Sequence, residues 1–134
     1  MRDAAEQLVR RFLGAFEDLD LAAIADCFAD DATMFFPVPQ PPELVVGRAA
    51  IIDRFEAVAA GIRSEASSGP PYHRLDPVEL TVLTTGPDAA VVTFELRRLD
   101  RTGRRTLVLR RTDGDCLIVH LHASNTPQRA DITT

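Results

Sequence analysis

Ala5, Leu8, Val9, Phe12, Leu13 and Phe16 recur at the spacing of one helical face, with Glu6, Arg10 and Glu17 off it. That period predicts an amphipathic N-terminal helix. Asp18-Leu19-Asp20 reads as a turn, and Asp20 as the cap of a second helix that buries Ile24, Cys27 and Phe28 and ends at Asp30-Asp31. Ala32 to Phe36 is a short β-prone run. Pro37, Pro39, Pro41 and Pro42 then exclude helix and interior strand, which predicts an extended surface loop. Leu44 to Gly47 reads as a brief strand. A third helix follows, with Ile51, Ile52, Phe55, Val58, Ala59 and Ile62 on one face. Ser64 to Pro71 is a polar linker.

The second half alternates at the strand period. Turn signals at 85–88, 100–103 and 113–114 divide four runs, about 72–85, 89–99, 104–112 and 115–124. Helices first and a meander afterwards predict an α+β fold, with three helices packed on one face of an antiparallel sheet. A two-residue turn at Asp113-Gly114 pairs Thr112 with Asp115, and hence Leu109 with Ile118, Leu107 with His120 and Arg105 with His122. A loop over Asp100 to Gly103 pairs Leu99 with Arg104 and brings Arg98 beside Arg105. On this register one face carries Val92, Phe94, Leu96, Arg98, Arg105, Leu107, Leu109, Cys116, Ile118, His120, His122 and Ser124. Its centre is apolar and one end is polar. The opposite face, with Val91, Thr93, Glu95, Arg97, Thr106, Val108, Arg110, Leu117, Val119 and Leu121, is mixed but too apolar on the last strand to be fully wet, which makes it a candidate homodimer surface.

Composition narrows the partners. The chain has 134 residues and a net charge of −5, and all 15 of its cations are arginine. One domain is expected, with residues 1–126 in the fold and 127–134 as a C-terminal tail. An acidic chain without a basic tail is expected to bind no nucleic acid, and no apolar run approaches the ~18 residues of a membrane span. The charged N-terminus does not read as a signal peptide, and Cys27 and Cys116 do not make a disulfide framework, so a cytoplasmic protein is expected. Cys27 reads as packed, on a helix's apolar face.

The polar end supplies the candidate chemistry. Arginines beside a histidine favour an anionic group, because a guanidinium pairs with a carboxylate through two parallel hydrogen bonds. The alternative is that Arg98 and Arg105 flank a hairpin end and point into water. His120 and His122 form an H-x-H pair, but a metal would need His73 or a carboxylate as third ligand, and the strand face supplies none; no metal and no cofactor are expected. For proton transfer a histidine is the natural candidate, with Asp31 or Asp76 approaching from elsewhere.

Several motifs carry a resemblance: Asp26 to Thr33 (DCFADDAT), Val45-Val46-Gly47-Arg48 before the third helix, Thr112-Asp113-Gly114, and Val119 to Ser124 (VHLHAS). In order and spacing they resemble the nuclear transport factor 2-like superfamily, over about residues 3–126. The last motif is similar to the ending of SnoaL-like domains and of the association domain of calcium/calmodulin-dependent protein kinase type II. The resemblance implies a cone: a strongly bent sheet wrapped around a long helix, a pocket between them with the proline loop after Phe36 near its mouth, and a dimer through the outer sheet face. The departures are specific. Cys116 stands where relatives open the last strand with tryptophan, and Phe94 and Leu107 stand where the association domain carries pocket arginines. The pocket carboxylate of steroid isomerases and the Asp-Arg-Asp set of epoxide hydrolases have no counterpart here.

The leading expectation is a small-molecule-binding, homodimeric domain whose ligand meets Phe36, Phe94, Leu96, Leu107, Leu109 and Ile118 along its body and Arg98, Arg105 and Ser124 at its end. A cyclase or isomerase moving a proton through His120 or His122, and an oligomeric assembly protein, are the alternatives.

Overall fold

The computed structural model describes residues 1–37 and 43–127. The expected proline loop falls largely on 38–42 and the expected tail on 128–134, outside the described residues. In chain order the elements are α1 (Arg2–Glu17), α2 (Leu21–Ala25), β1 (Phe28–Phe35), β2 (Val45–Val46), α3 (Arg48–Glu65), β3 (Pro77–Gly86), β4 (Ala89–Arg97), β5 (Arg101–Thr112) and β6 (Asp115–Pro127). The six strands form one mixed sheet in the order β2-β1-β6-β5-β4-β3, with β1 and β6 parallel and the other neighbours antiparallel. The sheet is bent and unclosed, and it wraps around α1 as a cone.

The helical period of α1 becomes burial: Ala5, Leu8, Val9, Phe12 and Leu13 are all inside. Asp20 Oδ1 accepts from the Ala23 amide at 3.1 Å, as a cap should. The second helix is a single turn, however, and ends at Ala25. Phe28 already pairs with Ile118, so Asp30 and Asp31 lie within β1 as exposed side chains and do not terminate a helix. The strand expected from residue 72 starts at Pro77 instead. Residues 72–75 dock on the end of α1, where the Tyr72 amide donates to the Glu17 carbonyl (2.9 Å) and the Leu75 amide to Glu17 Oε2 (2.8 Å).

Two departures from the expected sheet register decide what faces the cone. The β4–β5 turn is centred on Leu99-Asp100, with the Arg98 amide donating to the Arg101 carbonyl at 2.9 Å and Leu99 97% exposed at the tip. Phe94 therefore pairs with Arg105 and Leu96 with Gly103; Arg98 does not pair with Arg105. The slip is even-numbered, so the faces of β4 and β5 stay as expected.

The second departure changes a face. Asp113 and Gly114 have the positive φ values (52° and 86°) of the expected tight hairpin, and Thr112 pairs with Asp115 and Leu109 with Ile118 as read from the sequence. The next pair is then Val108 with His120, so Val119 is an extra residue in β6, a β-bulge. Beyond it Leu107 pairs with Leu121, Arg105 with Ala123 and Gly103 with Asn125. One inserted residue moves every later side chain to the other face. Leu121, Ala123 and Asn125 thus point into the cone, and His120, His122 and Ser124 lie on the outer face.

Among the described residues the core is apolar: no buried side chain is polar or charged. Phe12, Phe28 and Phe55 from α1, β1 and α3 meet at centroid distances of 5.8 to 6.1 Å, two of the three contacts edge-on. Among the described residues no helix is long and apolar enough to cross a membrane. Phe28 is fully buried at the centre of this cluster, so Phe28→Ala is expected to lower unfolding free energy by about 3–5 kcal/mol, read from urea denaturation.

Candidate functional site

Between α1, α3 and the inner sheet face lies a cavity of about 400 Å³. Its walls are apolar. Phe12 and Phe16 come from α1, Phe55, Val58 and Ile62 from α3, and Phe94, Leu96 and Leu121 from the sheet, with Phe36 and Pro37 completing one side. Phe55 is the hub, with Phe16 at 5.3 Å and Phe36 at 5.2 Å, both edge-on. The polar groups collect at one end: Arg98, Arg101, Arg105, Asn125 and His73.

Arg105 is held from three sides. Its Nη1 donates to the Arg104 carbonyl (3.0 Å), the Ser124 carbonyl (3.1 Å) and Asn125 Oδ1 (3.3 Å). Gly103 makes room for it. A Cβ there would lie 3.0 Å from Arg105 Nη1 and 3.1 Å from Asn125 Oδ1, so the glycine that resembles a turn signal serves a close approach inside a strand. Burial, reinforced by the charges of Arg101 and Arg98, pushes the Arg105 pKa down to about 10. Five arginines meet carboxylates: Arg48 meets Asp30, Arg54 Glu43, Arg97 both Glu79 and Glu95, Arg110 Asp31 and Arg111 Asp88. Among the described residues, Arg98, Arg101 and Arg105 form no ion pair, although Glu65 of α3 lines the same cavity.

His73 is placed by the docked 72–75 segment. Its ring stands edge-on to Phe16 at 4.9 Å, and its Nε2 lies 2.8 Å from the Phe16 carbonyl oxygen. A carbonyl only accepts, so Nε2 carries the proton and Nδ1 a lone pair. Burial lowers the His73 pKa, helped by Arg98 and opposed by the Phe16 carbonyl and Glu17.

The sequence-predicted site residues divide accordingly. Arg98, Arg105, Phe94, Leu96 and Phe36 come together around the cavity. Leu107, Leu109 and Ile118 share the inner face but are fully buried in the core and do not line it. Ser124 is on the outer face and contributes only its carbonyl, to Arg105. His120 and His122 are also outside: His120 Nδ1 shares a 2.7 Å hydrogen bond with Thr33 Oγ1, and both rings contact Phe35. Burial lowers the His120 pKa, with His122 adding to the effect. Of the two expected carboxylate partners, Asp31 pairs with Arg110 and Asp76 bonds neither histidine, and no other described acid does so. Proton transfer through this pair is not carried further.

His73, Arg101 and Asn125 were missed as cavity residues. Arg101 and Gly103 read as turn residues in the sequence but lie in β5. Asn125 has the parity of Leu121 only once the bulge is known, and His73 follows a linker with no period to orient it. Among the described residues no three His, Cys, Asp or Glu side chains are grouped to hold a metal ion. Cys27 is buried, its Sγ donating to the Ala23 carbonyl at 3.5 Å, and Cys116 lines a second, polar cleft of about 420 Å³ with Arg11, Asp26 and Arg48. Burial raises the pKa of both thiols.

A family profile described as SnoaL-like domain matches residues 5–128. No curated protein matches the chain. Among solved structures, a nuclear transport factor 2-like protein of unknown function from Pseudomonas putida KT2440 is 24% identical with a TM-score of 0.73, over 90% of this chain and 82% of that one. A candidate calcium/calmodulin dependent protein kinase II association domain from Xanthomonas campestris is 23% identical, TM-score 0.68, over 92% and 86%. A candidate dehydratase of the nuclear transport factor 2-like family from Streptomyces avermitilis is 18% identical, TM-score 0.74, over 92% and 94%. At these identities the likeness concerns the fold.

The sign of the His73 shift sets a pH dependence. Its folded pKa lies below the ordinary 6.5, so the unfolded chain takes up the proton first. The stability it contributes is complete above about pH 6.5 and is lost as pH falls towards the folded value. Urea unfolding at about pH 7.5 and about pH 5.5 is expected to show a smaller loss on acidification in His73→Gln than in the wild type.

Proposed function

Because the chain belongs to the SnoaL-like domain family, we propose that its cone binds a small, mostly apolar molecule through a carboxylate end. The observation that carries this is Arg105. It is a half-buried guanidinium beside two further arginines, without an ion-paired carboxylate among the described residues. The charges of the exposed Arg98 and Arg101 add to the desolvation of Arg105, and an anion at this end offsets that cost. Nη1 is occupied by protein acceptors, whereas Nε and Nη2 have no described partner, which leaves an edge of the fork for a carboxylate. The phenyl-lined body suits an aromatic or branched apolar group, and about 400 Å³ is within the usual range for a small-molecule site.

Calorimetric titration with phenylacetate, and with uncharged phenethyl alcohol as control, tests the reading. The carboxylate is expected to bind more tightly than the alcohol, and Arg105→Gln to weaken it by about 1.5–3 kcal/mol, roughly 10- to 150-fold. Equal binding of acid and alcohol, or an unchanged Arg105→Gln, would sink it.

The outer face supports a homodimer. Val46, Thr33, His120, Val108, Val91 and Leu83 form one lateral row across all six strands. Val46 and Leu83, at its two ends, are 66% and 61% exposed. Burying such a row against its own copy removes apolar area that a monomer leaves wet, and the name of the Xanthomonas neighbour is that of an association domain. Light scattering on size-exclusion fractions is expected to give twice the 14.7 kDa chain mass, reduced to one chain by Val108→Glu. A monomeric wild type at tens of micromolar would remove this reading.

A further inference from the structure

We infer that the cavity takes a 2-hydroxycarboxylic acid with an apolar body, whose hydroxyl donates a hydrogen bond to Nδ1 of His73 while its carboxylate meets Arg105. The inference rests on the carboxylate-binding reading and narrows its ligand class. His73 lines the same cavity as Arg98, Arg101 and Arg105. The Phe16 carbonyl 2.8 Å from Nε2 holds the proton on that nitrogen, so Nδ1 is left as an acceptor. Among the described residues Nδ1 has no hydrogen-bond partner. Burial is the first cause that keeps the ring neutral; Arg98 adds to it, and the Phe16 carbonyl and Glu17 oppose it. A neutral imidazole in this tautomer calls for a donor, where a protonated one would call for a second anion.

The other polar groups at this end favour a hydroxyl as that donor. The guanidiniums only donate, so they suit the carboxylate. Asn125 Oδ1 already accepts from Arg105, and the Phe16 carbonyl from His73. Glu65 is exposed, and the Tyr72 ring lies against the Arg63 guanidinium, 5.3 Å from its centroid. An ammonium would also donate to Nδ1, but three arginines at the same end outnumber the single Glu65 and repel it. A hydroxyl donates without adding positive charge. A ligand that lacks it leaves a half-buried nitrogen desolvated and unpaired, which is how a site discriminates against the missing group. The hydroxyl belongs on the carbon next to the carboxylate, because the polar side chains collect at one end and Phe12, Phe16 and Phe55 wall the rest.

Calorimetric titration compares each enantiomer of 3-phenyllactate with 3-phenylpropanoate, which lacks only the hydroxyl, and with phenylalanine, which carries an ammonium in its place. The better enantiomer of phenyllactate is expected to bind about 3- to 10-fold more tightly than phenylpropanoate, and phenylalanine more weakly than either. His73→Phe keeps an aromatic ring beside Phe16 and removes the acceptor. It is expected to bind the two acids equally, with its affinity for phenylpropanoate unchanged. Nitrogen-15 NMR of the wild type reads the same contact without a variant: the His73 Nδ1 resonance is expected to shift with phenyllactate and hardly with phenylpropanoate. Equal binding of the two acids by the wild type, a phenyllactate advantage that survives in a folded His73→Phe, or tighter binding of phenylalanine overturns the inference and leaves the carboxylate-binding reading standing. Failure of both acids to bind where phenylacetate binds also overturns it alone, and failure of phenylacetate as well overturns both.

Discussion

The inserted Val119 in β6 is the constraint on which the cone depends. On one side of β6 the ladder with β5 shifts between Val108 and Leu109, and on the other the ladder with β1 shifts between Phe28 and Thr33. Both interruptions fall at the same level, where the sheet turns around α1. A bulge adds twist and lets a strand bend without losing its later pairs. Below it Cys116 and Ile118 belong to the inner face; above it Leu121, Ala123 and Asn125 do. The same residue count therefore closes the cavity with small and apolar side chains and sends His120 and His122 outwards.

Electrostatics then separates the two surfaces. The chain is acidic overall, yet three arginines share one end of the cavity, while Arg48, Arg97, Arg110 and Arg111 on the exterior meet Asp or Glu. Desolvation bears on the half-buried Arg105 and hardly on Arg98 and Arg101, which are exposed. Gly103 is part of the same arrangement, since its lack of a side chain lets the Arg105 guanidinium lie along the strand surface and reach Asn125. His73 enters this end from a segment with no regular structure, held by Glu17 and Phe16 at the end of α1.

Much of the fold was legible because it is written in local periods. The α1 stripe, the face of α3 and the Asp113-Gly114 hairpin follow from 3.6-residue and two-residue repeats and from turn chemistry, all of which act within a few residues. The inner faces of β4 and β5 were legible too, although their turn lies at Leu99-Asp100, because an even slip preserves parity. The candidate site was half legible. Arg98, Arg105, Phe94, Leu96 and Phe36 reach the cavity from positions the pattern had marked, whereas Asp30 and Asp31, read as a helix end, are the exposed positions of a strand.

The sequence by itself determined which elements form, their order, and the apolar stripe each presents. It also determined that any cation in the cavity is an arginine or a histidine. Only the tertiary structure decided where β6 breaks register, and hence which histidine lines the cavity. The period of a strand is set by neighbouring residues, so it can be counted along the chain. The position of a bulge is set by the bend needed where β6 lies between antiparallel β5 and parallel β1, and those partners are far apart in sequence. The same holds for His73, whose place depends on two carbonyls and a carboxylate at the far end of another helix.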